Sequence, residues 1–80
     1  MPAADLLRMI RAQPFIPFRL HLVEGTIYEV RHPELVLIGM TSAVIAFPDI
    51  EHPGLYQSWE IVDLRHIVRL ERIEPASQVS

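Results

Sequence analysis

The segment that most constrains the fold runs from residue 18 to residue 30, FRLHLVEGTIYEV, where apolar and polar residues alternate on both sides of a glycine. Alternation with a period of two is typical of a β-strand with one buried face, and Gly25 marks the turn of a hairpin. A two-residue turn would place Leu20 opposite Glu29 and mix the two faces. A turn one residue longer, with Gly25 in a left-handed conformation, keeps one face uniformly apolar.

The longer turn predicts a definite register for this hairpin. It pairs Leu20 with Tyr28 on the apolar face and Arg19 with Glu29 on the opposite face, where the charges are complementary. The same register pairs Phe18 with Val30 and Leu22 with Thr26. Because hydrophobic pattern, turn chemistry and charge agree, we expect the hairpin to form in this register.

The rest of the chain predicts one short helix and further strands. Residues 3–12 carry an apolar stripe between two prolines and indicate an N-terminal helix. Two apolar runs within residues 35–47 indicate a second hairpin, and residues 56–73 indicate two more strands with a turn near Asp63. We expect a mainly β fold, a short N-terminal α-helix followed by a strongly bent antiparallel sheet of five to six strands. It forms a single domain over residues 1–74, and residues 75–80 form a flexible tail.

The sequence RHPE, residues 31–34, interrupts the apolar pattern between the two predicted hairpins. Pro33 cannot donate a hydrogen bond to a sheet and holds His32 in an extended conformation, so the second strand must end or bend there. A structural role is the favoured interpretation. The functional alternative displays Arg31 and His32 at the rim of the fold for a partner.

Composition narrows the range of functions. The chain has 80 residues, half of them hydrophobic, no cysteine and no apolar stretch long enough to cross a membrane. We therefore expect a cytoplasmic protein without disulfides or a thiolate metal site, in which the apolar excess enters a small core or an interface. The net charge is −3 and all seven basic residues are arginine, interspersed with acidic residues. This balance gives no reason to expect DNA binding.

An enzyme is not expected. The four histidines lack the spacing of a metal motif, and the serines and threonines have no elbow or glycine-rich loop around them. We expect no catalytic residue, no metal and no cofactor. A metal-dependent enzyme that uses the histidines is the least favoured alternative.

Two resemblances add to this interpretation. A helix followed by about five strands, with the second strand bent and a tight turn before the last, resembles the Sm-like barrel, one of the small SH3-like barrels. His66-Ile67 is similar to the pair that ends the closing motif of the Hfq-type bacterial members, although Leu64 and Arg65 stand where an aromatic residue and a lysine are usual. PFRLHLVEGTIYEVRHPE also resembles a group of short bacterial proteins of the form PFRxHLxDGxxYxVRHPE, a resemblance that implies no activity.

The Sm-like resemblance implies closure of the sheet into a small barrel and, as an alternative function, an RNA-binding ring. The RNA-binding residues would be Arg65, His66, Arg69, Arg31 and His32. The leading prediction is instead a non-enzymatic, self-associating interaction module, because two unbroken apolar runs exceed what one small core can bury. We expect a homo-oligomer formed through strand edges. The expected interface residues are Val36, Ile38, Val44, Ile45, Ile67 and Arg69.

Overall fold

The computed structural model of the chain describes residues 1–73, and the tail expected at residues 75–80 lies outside the described residues. The fold is mainly β with one short N-terminal helix, as predicted. The elements in chain order are helix α1 (Ala3–Arg11) and strands β1 (Phe18–Leu22), β2 (Ile27–Val30), β3 (Val36–Ile38), β4 (Ser42–Pro48), β5 (Tyr56–Asp63) and β6 (Ile67–Arg72). Short 3₁₀ turns lie at Pro33–Leu35 and Leu64–His66. Within residues 1–73, no helix has the length and apolar character needed to span a bilayer.

The strands form two antiparallel sheets of three strands each, where the sequence predicted one bent sheet. The first sheet has the order β2-β1-β6 and the second has the order β3-β4-β5. The chain crosses from one sheet to the other twice, once through the 3₁₀ turn after β2 and once through the 3₁₀ turn after β5. The break after β2 explains the division, since the proline turn ends β2 and separates it from β3 along the chain.

The predicted register of the first hairpin is confirmed. Leu20 pairs with Tyr28, and Arg19 pairs with Glu29. Gly25 has a φ of 106° and donates its N–H to the Leu22 carbonyl, while the Leu22 N–H donates to the Thr26 carbonyl. This is the geometry of a turn that ends in a left-handed glycine, which an L-residue rarely adopts.

The bend at RHPE is also confirmed. His32 is extended, with φ −141° and ψ 138°, and Pro33 begins a 3₁₀ turn that ends at Leu35. The Leu35 N–H donates to the His32 carbonyl, and the Val36 N–H donates to the Pro33 carbonyl. The turn therefore satisfies its own backbone groups while it redirects the chain from the first sheet to the second.

The core lies between the two sheets and beneath the helix. Helix α1 contributes one completely buried side chain, Leu6, and the terminal amine of Met1 donates to the Leu64 carbonyl at 2.9 Å. The strands, together with Leu64 of the second 3₁₀ turn, contribute the other buried apolar side chains: Phe18, Leu20, Leu22, Val30, Val36, Ala43, Ile45, Val62, Leu64 and Ile67. No polar or charged residue within residues 1–73 is buried, so the side chains of the core make apolar contacts.

Candidate functional site

The outer side of the second sheet carries a continuous apolar surface, here called the apolar face. In its first cross-strand row, Leu37 of β3 pairs with Val44 of β4, which pairs with Ile61 of β5. In the next row, Ala46 of β4 pairs with Trp59 of β5. These five residues define the apolar face, and none of them carries a polar group apart from the Trp59 indole N–H.

The largest side chains of the apolar face are well exposed. Leu37 is 71% exposed, Ile61 is 70% exposed and Trp59 is 63% exposed. The residues that alternate with them along the strands, such as Ala43 and Val62, point into the core. The unbroken apolar runs of the sequence therefore split by strand alternation, one half inward and the other half outward.

Three of the six interface residues expected from the sequence are buried within their own chain. Val36, Ile45 and Ile67 are only 6%, 1% and 2% exposed, because their strand parity directs them into the core of their own chain. Ile38 and Val44 are half-buried. Only Val44 of the six belongs to the apolar face.

The residues that dominate the apolar face were not among the expected interface residues. Leu37 lies one position from the two residues chosen on β3, and Trp59 and Ile61 share one face of β5. The pairing of β3 with β4 decides which half of the run faces outward. A shift of one residue in that register would reverse the assignment, and the sequence between the two runs does not specify the register.

The outer side of the first sheet is charged rather than apolar. Arg19 lies at its centre, with its Nε 3.2 Å from Glu29 on β2 and its Nη1 3.9 Å from Glu71 on β6. Nε2 of His21 is 2.9 Å from Glu71. Arg69, the sixth expected interface residue, is exposed on β6 with its Nη2 3.4 Å from Glu71. We call this network of carboxylates, arginines and one histidine the charged face.

Hydrogen bonds within the charged face stabilise its carboxylates in the ionised form. The hydrogen bond from His21, with smaller contributions from Arg69 and Arg19, lowers the pKa of Glu71. The hydrogen bond and the charge of Arg31 are the main causes that lower the pKa of Glu29. The positive charges of this surface are therefore already compensated by neighbouring negative charges.

The structure does not bring the five expected RNA-binding residues into one site. Arg65 and His66 lie in the turn between β5 and β6, whereas Arg31 and His32 follow β2 on the far side of the first sheet. Arg65 is held by Asp63, with 2.8 Å between Nη2 and Oδ2. This pairing lowers the pKa of Asp63 far below its ordinary value and raises the pKa of Arg65.

The charges of Arg31 and Arg69 are compensated in the same way. Glu29 lies 2.9 Å from Arg31, and Glu71 lies 3.4 Å from Arg69. Within residues 1–73, only Arg11 and Arg72 have no carboxylate within 4 Å, and both border a shallow groove beside α1. That groove lies away from the turn that carries Arg65. Arg11 and Arg72 were not among the five expected RNA-binding residues.

The histidines are dispersed in the part of the chain that the structure describes. His52 contacts Asp49 at 3.3 Å in the loop after β4. His32 and Asp49 both line a small groove. No group of three histidine, aspartate or glutamate side chains within residues 1–73 is arranged to hold a metal ion.

Comparisons with known proteins identify no relative of this chain. No protein-family model, no curated protein and no solved structure matches it. The resemblance to Sm-like proteins therefore stays a prediction. The two contrasting outer faces are the strongest functional observation that the described residues provide.

Proposed function

We propose that the chain is a non-enzymatic interaction module of the cytoplasm that self-associates. The observation that carries this proposal is the apolar face, which leaves Leu37, Trp59 and Ile61 more than half exposed to water. Monomeric proteins rarely leave contiguous apolar patches of this kind uncovered, because removing each large apolar side chain from water is worth about 1.5–3 kcal/mol. A lack of cysteine agrees with a reducing compartment.

We further propose that the two sheets are the halves of a small barrel of the Sm-like or SH3-like kind. The supporting features are the bend between β2 and β3, which carries one run of chain from the first sheet to the second, and the tight turn that joins β5 to β6. That turn is hydrogen-bonded to both sheets, because the Leu64 N–H donates to the Thr41 carbonyl next to β4 and the His66 carbonyl accepts from the Val23 N–H next to β1. A closed arrangement would protect sheet edges that are otherwise open to pairing.

RNA binding through the five expected residues has weaker support than self-association. Phosphate binding requires arginines that can exchange a counterion for a phosphate oxygen. Arg31, Arg65 and Arg69 already have carboxylate partners, and a competing phosphate would have to displace them. The network therefore supports a role in folding and solubility for these arginines.

Native mass spectrometry of the purified chain at micromolar concentration tests the proposal, with the absorbance ratio at 260 and 280 nm as a check for nucleic acid. We expect an assembly larger than the 9.2 kDa chain, free of nucleic acid, that persists when the salt concentration is raised. Apolar contacts are insensitive to salt, whereas phosphate contacts weaken steeply. A monomer at every concentration would refute self-association, and co-purified RNA released by salt would favour the RNA-binding alternative.

A further inference from the structure

From the proposed function, on which this inference rests, we propose a more specific arrangement. The partner of the apolar face is the apolar face of a second copy, and the two copies form a closed, two-fold symmetric dimer. Leu37, Val44, Ala46, Trp59 and Ile61 of each copy lie in the contact. The assembly is held face to face between sheets, not by pairing of strand edges.

The relief of the apolar face is self-complementary. The central strand β4 presents the smaller side chains Val44 and Ala46, and the flanking strands present Leu37 on one side and Trp59 with Ile61 on the other. A large side chain thus lies directly beside a small one, since Trp59 is paired with Ala46. A two-fold axis close to β4 sets the large side chains of one copy beside the small residues of the other, so that the two surfaces interlock.

The area is consistent with a dimer. The exposed surface of four side chains amounts to roughly 500 Å². These side chains are Leu37, Trp59, Ile61 and the neighbouring Tyr56, which is 48% exposed. Two such faces bury about 1,000 Å², which reaches the lower limit for a specific protein interface.

The charged face excludes the alternative of head-to-tail stacking. In such a stack, the apolar face of one copy would cover Arg19, Glu29 and Glu71 of the next, and would remove these ions from water without offering any hydrogen bond. The apolar face of another copy avoids this cost. An interface that uses the same surface on both partners closes after two copies, which predicts a dimer and neither a ring nor a filament.

Trp59 is the only tryptophan of the chain and lies in the proposed contact, so it reports directly on the arrangement. Tryptophan emission is measured over a dilution series together with the native mass. The expected mass is twice 9.2 kDa, with emission at short wavelength that moves to longer wavelength as the dimer dissociates. In an assembly through the edges of β2, β3 or β6, none of which carries Trp59, this residue keeps its exposure and its emission stays at long wavelength in every oligomer.

A matched pair of substitutions separates the two outer faces. Ile61→Lys places a charge on the apolar face, and Ile27→Lys makes the same change at an outward position of the first sheet, where Ile27 is 51% exposed and pairs with His21. We expect Ile61→Lys to raise the dimer Kd by about 100-fold or more, and Ile27→Lys to leave it within about threefold. If Ile61→Lys does not fold, Leu37→Lys places the charge on the apolar face from β3 and makes the same test.

The outcomes distinguish this inference from the proposed function. A dimer with concentration-dependent Trp59 emission, lost in Ile61→Lys and retained in Ile27→Lys, supports both. A larger assembly, or a dimer in which Trp59 emits at long wavelength throughout, overturns the face-to-face arrangement and leaves self-association intact. A monomer at all concentrations overturns both.

Discussion

Arg19 on β1 lies directly opposite Glu29 on β2, and its Nε is 3.2 Å from a Glu29 carboxylate oxygen. This contact follows from the turn at Gly25, because a turn one residue shorter or longer would bring Arg19 opposite a residue of the other face. One glycine thus determines both the apolar pairs inside the hairpin and the ionic pairs outside it. The hairpin is the part of the fold in which local sequence and tertiary structure agree most closely.

Replacing Gly25 with valine should destabilise the fold through the backbone alone. A Cβ at this position would have nothing within 4 Å, so crowding does not contribute, whereas the φ of 106° is strained for any β-branched residue. We expect the free energy of unfolding to fall by about 1–3 kcal/mol, measured by urea denaturation at fixed protein concentration. Val23→Ala in the same turn is the control, since Val23 is 65% exposed and its φ is not positive. Equal losses for the two variants would contradict the strain argument.

Leu6→Ala tests the attachment of helix α1 to the sheets. Leu6 is completely buried and is the one residue of the helix in the core, so truncation leaves a cavity beneath the helix. A loss of about 2–5 kcal/mol in the free energy of unfolding is expected. Leu7→Ala, at a half-buried position of the same helix, should cost clearly less. If the two variants have equal stability, the helix does not depend on this contact.

Asp63 should make stability depend on pH. Its Oδ1 accepts the Arg65 backbone N–H at 2.8 Å, and bonds from Arg65 hold the pKa of Asp63 far below its ordinary value. The ionised carboxylate therefore stabilises the folded state above the unfolded pKa of about 4, and this contribution is lost as the pH falls toward the folded pKa.

Asp63→Asn removes the charge of Asp63 but retains an oxygen that can accept the Arg65 N–H. We expect this variant to be less stable than the parent chain at neutral pH, and the difference to shrink as the pH falls below about 4. Urea denaturation of both proteins over a pH series measures the difference. A constant difference down to about pH 2 would show that the charge is not responsible.

The bend at RHPE tolerates change if its role is structural. Pro33→Ala should leave the fold and the oligomeric state intact and lower the free energy of unfolding by less than about 1 kcal/mol, because the backbone bonds of the turn remain. His32→Ala should be equally mild, since its exposed side chain leaves the core unchanged. Loss of a bound partner by either variant with unchanged stability would instead identify the segment as a binding site.

The sequence predicted the parts of the fold that depend on local rules. Alternation and the glycine turn predicted the first hairpin, and Pro33 predicted the bend. The division into two sheets and the outward half of the second hairpin were not predictable in the same way. Residues 35–38 are all apolar, so no alternation distinguishes Val36, which is buried, from Leu37, which is exposed. Whether Val36 or Leu37 is buried depends on the pairing of β3 with β4 and on contact with the helix, and both are tertiary effects.

The neighbours Val36 and Leu37 provide a sharp test of this assignment. Val36 is 6% exposed and points into the core, so Val36→Lys buries an unpaired ammonium group, or forces it to deprotonate, and should prevent stable folding. Leu37 is 71% exposed on the apolar face, so Leu37→Lys should fold normally and reduce self-association. Circular dichroism measures folding, and native mass spectrometry measures association.

Leu37→Ser serves as a milder companion, because it removes the apolar side chain without adding a charge and should weaken the assembly less than lysine does. If instead Val36→Lys folds and dissociates while Leu37→Lys unfolds, the register of β3 is shifted by one residue. On β3, the apolar face would then carry Val36 and Ile38 in place of Leu37.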